Sequence, residues 1–436
     1  MLAYQAAWGL GLPLALAYLF WRSRKDADYR RFLRERFGYG PTLRGAVWVH
    51  AVSLGEMRSA EPLVRTLLAR GEVIVTTHAT PAGRRAAQKL FPQEIADGRV
   101  VVRYVPIELA PAFRRFLRFC QPKLALVMEI ELWPVLIMQT KRAGVPLFLC
   151  NSQYPEKSYL RDKAGTNLRA QILSHVTGVL AKSKTHADRF QSLGAPNIQI
   201  TGELRFEQDI PAEQVTAAAA LRPMLKDRPV IAIASVVANE DALYINAYKD
   251  LIAKAKAANR PRPFFVHVTR APERFSTDYD SLTSAGLTTL RRSVALDDSL
   301  TPKPDVDWQT ADVLLGDSLG EMNFFQSLAD IVSVSGSFSD QGSHNICEPI
   351  ALGKPVINGP VIWPIEYPAV EAVAEGALHL VQTPAELADA IDALLTDPAE
   401  LAKRSAAAHA FLAKYSGAVD KTLAAIAPAL KRDQTV

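Results

Sequence analysis

The feature that most constrains the fold is a regular alternation of short apolar runs with amphipathic segments. Such alternation predicts parallel sheets covered by helices on both faces. In the first half the predicted strands are Ala46–Val52, Glu72–Thr77, Arg99–Val105, Lys123–Ile130, Pro146–Cys150 and Gly178–Ala181. In the second half they are Pro229–Ala234, Pro263–Val268, Ala311–Leu315, Ile331–Ser335 and Pro355–Ile357. The expected fold class is therefore α/β, with two Rossmann-like, doubly wound domains, a central cleft, and ligands at the carboxyl ends of the strands.

A polar, alanine-rich stretch separates the two series of strands. It covers Phe206–Asp227, contains Pro211 and Pro223, and predicts the linker. The expected organisation is a membrane anchor at residues 1–21, an N-terminal domain at 22–208 and a C-terminal domain at 209–410. A last helix at 411–436 is expected to pack back on the N-terminal domain.

Composition excludes several classes of protein. Of 436 residues, 49% are hydrophobic and 22% are charged, which excludes a disordered chain, a collagen-like fibre and a small disulfide scaffold. The formal charge of +5 is too small to argue for a nucleic-acid partner. The cysteines are few and far apart in sequence, which favours a reduced, cytoplasmic compartment.

The first 21 residues form the one stretch apolar enough to enter a bilayer. Met1–Trp21 has Gln5 as its clear polar interruption, and its length just suffices for a span. The basic residues that follow (Arg22, Arg24, Lys25, Arg30, Arg31, Arg34 and Arg36) favour a cytoplasmic position for the next domain and an anionic leaflet. Gly9, Gly11 and Pro13 weaken a straight span, so a helix in the interface, or one buried in the protein, stays open.

Two strand-to-helix junctions in the first half carry carboxylates. Ser53-x-Gly55-Glu56 follows a predicted strand, so Glu56 is a candidate general base; the same spacing also matches a capping box. Glu129 and Glu131 end another strand and project to one side. Such a pair favours a sugar hydroxyl, a proton or a cation, or else it is solvated or caps a helix.

A third junction, in the second half, is rich in glycine and serine. Ser335–Phe338 leads through Gly342, Ser343, His344 and Asn345 to Glu348, and it opens a short predicted helix. Free amides there would bind phosphate, and Glu348 would accept ribose hydroxyls. Plain helix capping is the alternative. The His344/Glu348 spacing also fits a metal, but no third ligand lies nearby in sequence.

No motif supports ATP, NAD or metal-dependent chemistry. There is no Walker lysine loop and no Gly-x-Gly-x-x-Gly, and no Asp-x-Asp pair follows a clear buried strand. We therefore expect that the protein holds no catalytic metal ion.

Taken together, the segments resemble the family of lipid A Kdo transferases, which move 3-deoxy-D-manno-octulosonic acid (Kdo) from CMP-Kdo to lipid A precursors. The resemblance covers nearly the whole chain. Its motifs here are WVHAVSLGEMRSAEPLV, TTHATPAG, MEIELWP, TGELRFEQD, TRAPERF, LLGDSLGEM and VSGSFSDQGSHNICEPIALGKPVINGP.

The resemblance implies a two-domain glycosyltransferase fold of the GT-B type, inversion at the anomeric carbon, and neither metal nor cofactor. It implies CMP-Kdo and a lipid A precursor as partners. The location implied is the cytoplasmic leaflet of a bacterial inner membrane, with single-pass or monotopic attachment. Two alternatives remain: a GT-B transferase for another nucleotide sugar, and a membrane-tethered nucleotide-sugar-binding protein without turnover.

The resemblance also assigns residues. Glu56 falls on the catalytic carboxylate. The acceptor side is assigned Ser53, Gly55, Glu129 and Glu131, and the donor side Arg205, Arg270, Glu273, Gly320, Glu321, Ser343, His344, Asn345 and Glu348. The chain departs from the family pattern at Glu203, Arg205, Ala271 and Ser343, where the usual residues are Asn, Lys, His and Gly. It also departs over the stretch Asn151–Ser158.

Overall fold

A computed structural model describes residues 2–165 and 168–431. They form two compact units. The first unit contains the chain up to Gln208 together with the segment from Ser416, and the second is Asp209–Tyr415. The predicted boundary at residue 410 falls inside a helix, which continues to Tyr415 before the chain returns to the first unit.

The first unit is built on a seven-stranded parallel sheet in the order β3-β2-β1-β4-β5-β6-β7. Most of its strands are wholly buried, as expected for a parallel sheet covered on both faces. The strands are β1 Val47–His50, β2 Ile74–His78, β3 Val100–Tyr104, β4 Leu124–Met128, β5 Leu147–Ser152, β6 Gly178–Ala181 and β7 Ile198–Ile200.

The second unit repeats this plan with a seven-stranded parallel sheet in the order β10-β11-β9-β8-β12-β13-β14. Its strands are β8 Val230–Val236, β9 Phe264–Thr269, β10 Thr289–Arg291, β11 Val313–Gly316, β12 Ile331–Val334, β13 Val356–Asn358 and β14 Leu378–Leu380. Two doubly wound α/β units are thus confirmed. Strands β7, β10 and β14, which all lie at sheet edges, were not predicted from the sequence.

Helices cover both faces of each sheet. In the first unit they are α1 Leu2–Arg22, α2 Leu33–Arg36, α3 Leu54–Ala69, α4 Pro81–Leu90, α5 Pro92–Ala96, α6 Ala110–Cys120, α7 Pro134–Arg142, α8 Glu156–Ala164, α9 Leu168–Leu173 and α10 Lys184–Ser192. In the second unit they are α11 Ala212–Leu221, α12 Asp241–Ala257, α13 Phe275–Ser284, α14 Arg292–Ala295, α15 Met322–Leu328, α16 Cys347–Ala351, α17 Glu366–Ala374, α18 Pro384–Thr396 and α19 Pro398–Tyr415. The last helix, α20 Ala418–Leu430, belongs to the first unit.

The predicted linker is mostly helix. Alanine is the strongest helix former, so the alanine-rich run folds as α11 and places Gln214, Ala218 and Leu221 in the interior of the second unit. The chain passes between the units near Gln208, at the beginning of the predicted linker.

The last helix fills one face of the first sheet. Leu423 and Ile426 of α20 are buried in the same apolar cluster as Val49, Leu63 and Leu126. The opposite face holds a separate cluster that includes Trp48, Phe113 and Leu136. The carboxyl ends of the strands are left for polar side chains.

Helix α1 carries an exposed apolar stripe. Leu10, Leu14, Tyr18 and Trp21 lie on one helical face and are 82%, 76%, 53% and 56% exposed. Among the described residues, no helix combines the length and the apolar character needed to cross a membrane, so the spanning form of the predicted anchor is not borne out.

Candidate active site

Each sheet has one point where the strand order reverses. Successive strands run outward on one side from β1 and then start again at β4, and likewise from β8 and then β12. In open α/β sheets, ligands bind beyond the carboxyl ends of the strands at such a switch point. Glu56 follows β1, Glu129 and Glu131 follow β4, and the glycine- and serine-rich loop follows β12. The predicted segments therefore lie at the switch points, where ligands bind in sheets of this topology.

Glu56 lies at the first turn of α3 with both carboxyl oxygens engaged. Oε2 accepts a hydrogen bond from the amide of Val52 at 2.8 Å, and Oε1 accepts one from the hydroxyl of Ser53 at 2.9 Å. Ser53 is the N-cap residue, so a capping arrangement is present. Burial raises the pKa of Glu56 to about 7. The hydrogen bond from Val52 opposes this rise, and the nearby charge of Glu131 adds to it. A carboxylate with that pKa is matched to proton transfer near neutral pH.

Glu129 belongs to a buried ionic cluster at the same edge. Lys182, directly after β6, places its ammonium 2.7 Å from Glu129 Oε1 and 3.0 Å from Glu203 Oε2. Asn151 donates to Glu203 at 2.9 Å. Lys182 is 1% exposed and Glu203 is wholly buried. Burial alone would raise the pKa of Glu203, but Lys182 and then Arg205 hold that pKa well below its usual value.

Glu131 has a different environment from Glu129. Its Oε2 accepts a 2.6 Å hydrogen bond from the indole of Trp133, and burial raises its pKa. The two acids therefore have different partners. Glu129 forms an ion pair with a buried lysine, and Glu131 accepts a hydrogen bond from a neutral donor. Neither pairing matches the solvated pair that the sequence left open as an alternative.

Two of the predicted donor residues of the second unit, Arg270 and His344, meet beyond the carboxyl ends of β9 and β12. Arg270 follows β9, and its guanidinium contacts the ring of His344. Burial and then the charge of Arg270 lower the pKa of His344 to about 4, so this ring is neutral at pH 7. A guanidinium beside a neutral imidazole can bind an anionic phosphate.

The amides predicted to bind phosphate are engaged within the protein. Ser343 donates its amide to Val361 at 2.8 Å, and His344 donates its amide to Ser335 at 3.3 Å. The Ser343 side chain is fully buried, and its hydroxyl accepts from Asn358 at 2.8 Å. The loop uses these groups to close upon itself, and donor binding by Ser343 stays a prediction.

The chain is similar to known proteins over almost its whole length. The family model described as 3-Deoxy-D-manno-octulosonic-acid transferase (kdotransferase) matches residues 31–208. A 3-deoxy-D-manno-octulosonic acid transferase of Bordetella pertussis is 36% identical over 95% of this chain and 96% of its own. The chain belongs to the 3-deoxy-D-manno-octulosonic acid transferase family. It is a glycosyltransferase, as the resemblance predicted.

One further comparison agrees with this Kdo transferase assignment, and another concerns the fold alone. The Haemophilus influenzae enzyme of the same name is 30% identical over 97% of this chain and 96% of its own. The crystal structure of a glycosyltransferase from Rickettsia africae superposes with a TM-score of 0.57 at 14% identity, covering 89% of this chain and 100% of that one. The second likeness concerns the fold, and it agrees with a GT-B arrangement of two Rossmann-like units.

The remaining predicted residues of this Kdo transferase occupy several environments. Glu321 accepts two hydrogen bonds from Arg292, at 2.6 and 2.5 Å, and one from Ser318. Gly320 has φ 89°, and its carbonyl oxygen accepts a 2.9 Å hydrogen bond from the side-chain amide of Gln214. These contacts hold the loop after β11 together.

Three other donor-side residues lie on loops or at a helix start. Glu273 is exposed, and Glu348 lies in the first turn of α16 and is half-buried. Asn345 accepts a 3.0 Å hydrogen bond from the amide of Cys347. Part of the surface of each of these residues faces solvent.

Arg205 lies in the first unit. Its Nε donates to Ser59 at 2.7 Å, and its Nη2 is 3.8 Å from Glu129 Oε1. The structure thus brings Arg205 to the ionic cluster of Lys182, Glu129 and Glu203. The sequence analysis did not identify Lys182, although its position directly after a predicted strand was a usable signal.

One set of metal-type ligands occurs among the described residues. Asp241, His267 and Asp278 place one ligand atom each within 4.8 Å of the others. Arg274 donates to both carboxylates, at 2.6 Å for Asp278. A guanidinium thus already contacts both carboxylates of this set.

Proposed function

We propose that this enzyme transfers Kdo from CMP-Kdo to a lipid A precursor with inversion at the anomeric carbon. The observation that carries the proposal is Glu56, a carboxylate with a pKa near 7 at the switch point of the first sheet. Membership of the Kdo transferase family supplies the class of sugar. The reaction needs one proton acceptor and one stabilised leaving group.

Glu56 acts as the general base. It removes the proton from the acceptor hydroxyl while that oxygen forms a bond to the anomeric carbon. The bond from the anomeric carbon to the CMP phosphate breaks, and CMP leaves with the electron pair. The two short hydrogen bonds from Val52 and Ser53 fix the direction of the carboxylate before the acceptor arrives.

Arg270 and His344 hold the phosphate of CMP, and Glu348 accepts from the ribose hydroxyls. Negative charge grows on the phosphate as CMP leaves, so a fixed guanidinium stabilises the transition state. Asn345 and Glu273 line the approach. On the acceptor side, Glu131 and the Glu129 cluster receive the sugar of the lipid A precursor.

The test of donor class is calorimetric titration of the full chain with CMP and with UDP. We expect CMP to bind at least roughly tenfold more tightly. Tighter binding of UDP would favour a transferase for another nucleotide sugar. Binding of CMP without turnover on any lipid acceptor would favour a binding protein.

Catalysis should not depend on a metal ion. The Arg274 guanidinium already donates to both Asp241 and Asp278, and Arg270 supplies the charge that a cation would offer to the phosphate. Product formation in excess EDTA should match that in untreated enzyme. Loss of activity that Mg²⁺ or Zn²⁺ restores would contradict this.

The apolar stripe of α1 attaches the enzyme to the surface of an anionic membrane. Replacing both Leu10 and Leu14 by Glu should reduce partitioning into anionic vesicles by more than about tenfold, since each leucine contributes about 1.5–3 kcal/mol when buried. Melting should change little because both side chains are exposed. Vesicle sedimentation measures the partitioning.

Leu160→Glu is the matched control for this prediction. Leu160 is 55% exposed on α8 of the same unit, outside the stripe. It should leave vesicle binding unchanged. Equal loss in both variants, or none in the Leu10/Leu14 variant, would show that α1 is not the attachment site.

A further inference from the structure

Glu240 is a buried acid at the switch point of the second sheet. It lies between β8 and α12, next to the loop that follows β12, and it is 1% exposed. It occupies the N-cap position of α12, yet its side chain makes no capping hydrogen bond. Helix capping therefore does not explain a carboxylate at this place.

The carboxylate accepts four hydrogen bonds, three of them from the loop after β12. Oε2 accepts from the hydroxyl of Ser335 at 2.7 Å, from the amide of Gly336 at 2.7 Å and from the hydroxyl of Tyr244 at 2.9 Å. Oε1 accepts from the amide of Phe338 at 2.8 Å. The amides of Gly336 and Phe338 thus already bind an anion that the protein supplies.

The loop that these bonds hold is also constrained by its own close packing. Gly336 has φ 90°, and a Cβ there would lie 2.3 Å from the carbonyl oxygen of Gly342. The carbonyl of Ser335 accepts the amide of His344. The position of the His344 ring beside Arg270 is therefore linked through Ser335 to Glu240.

We propose that Glu240 is a positioning residue for donor binding, which holds the Ser335–Phe338 loop so that His344 stands beside Arg270. This rests on the proposed function, in which Arg270 and His344 bind the donor phosphate. Glu240 itself does not touch the donor. A carboxylate suits the task because its two oxygens accept all four donors, whereas an amide would turn a donating NH₂ toward at least one of them.

Glu240→Gln tests the proposal, with Tyr244→Phe as the matched control. The control removes the Tyr244 bond to Oε2 but keeps the three bonds that Glu240 accepts from the loop. In Glu240→Gln, hydrogen exchange at the amides of Gly336 and Phe338 should quicken by at least roughly tenfold. The Kd for CMP and the KM for CMP-Kdo should rise by at least roughly tenfold, while kcat and the KM for acceptor stay within about twofold. Tyr244→Phe should leave the CMP Kd unchanged.

The outcomes separate the proposal from the proposed function. If wild type binds CMP and Glu240→Gln binds it equally well, the positioning role is overturned and the proposed function stands. If exchange quickens but CMP affinity is unchanged, the loop is held by Glu240 without serving the donor, which also overturns it. If wild type binds no CMP, the proposed function fails and takes the donor role with it. Should Glu240→Gln not fold, Ser335→Ala removes one loop bond and is read by the same measurements.

Discussion

Glu56→Gln should lower turnover by about 10²–10⁴-fold while melting and CMP binding stay close to wild type. Glutamine keeps an oxygen that accepts from Val52 or Ser53, so the capping contacts at the start of α3 are largely retained. It cannot accept a proton from the acceptor hydroxyl. Alanine would remove both functions, and for that reason it would not separate them.

The control for this prediction lies on the same helix. Glu61 is paired with Arg65 at 2.7 Å on the next turns of α3, and Glu61→Gln should leave turnover unchanged. Wild-type turnover should also rise with pH through about 7, because the base acts only when ionised. Wild-type turnover in Glu56→Gln would make Glu56 a helix cap alone, and the base would then be Glu129 or Glu131.

Lys182→Met should lower the free energy of unfolding by about 3–5 kcal/mol at pH 7. The substitution keeps the length of the side chain but leaves the carboxylates of Glu129 and Glu203 buried without their ammonium partner. Removing one member of a buried ion pair costs far more than breaking an exposed pair. Urea unfolding at pH 7 measures the change.

Lys184→Met provides the control two residues away. Lys184 pairs with Asp188 at 2.7 Å, but the two side chains are 79% and 57% exposed, so the loss should be within about 1 kcal/mol. The pKa of Glu203 is lowered in the folded wild type. The ionised Glu203 therefore stabilises the fold above about pH 4.5, and this stabilisation is lost progressively as the pH falls below that value. The difference in the free energy of unfolding between wild type and Lys182→Met should therefore become smaller toward pH 3. Equal losses for both lysines, or a gap that widens in acid, would contradict this account.

The sequence predicted the interior strands well and the edges poorly. Strands such as β1 and β4 are buried on both faces, and their unbroken apolar runs are visible in the sequence. The missed strands β7, β10 and β14 are three residues long and largely half-buried or exposed. Each is held by pairing on one side, which leaves no hydrophobic pattern to detect.

The site was predictable to the extent that its residues follow strands. Glu56, Glu129 and His344 were identified at strand-to-helix junctions, and Arg270 was identified from the family resemblance. Glu240 and the pairing of Lys182 with Glu203 were not, because they depend on contacts between segments far apart in the chain. Ser343 was assigned to the donor from its motif, and only its burial against Asn358 shows that its hydroxyl serves the loop.

The most direct test of the central claim is a transfer assay read by mass spectrometry. The full-length enzyme is incubated with CMP-Kdo and a lipid A precursor, in parallel with Glu56→Gln. The account predicts a lipid whose mass rises by one or more Kdo residues, with one CMP released per residue added, and little product from the variant. Release of CMP without a change in lipid mass, or addition of a sugar only from a different nucleotide donor, would contradict it.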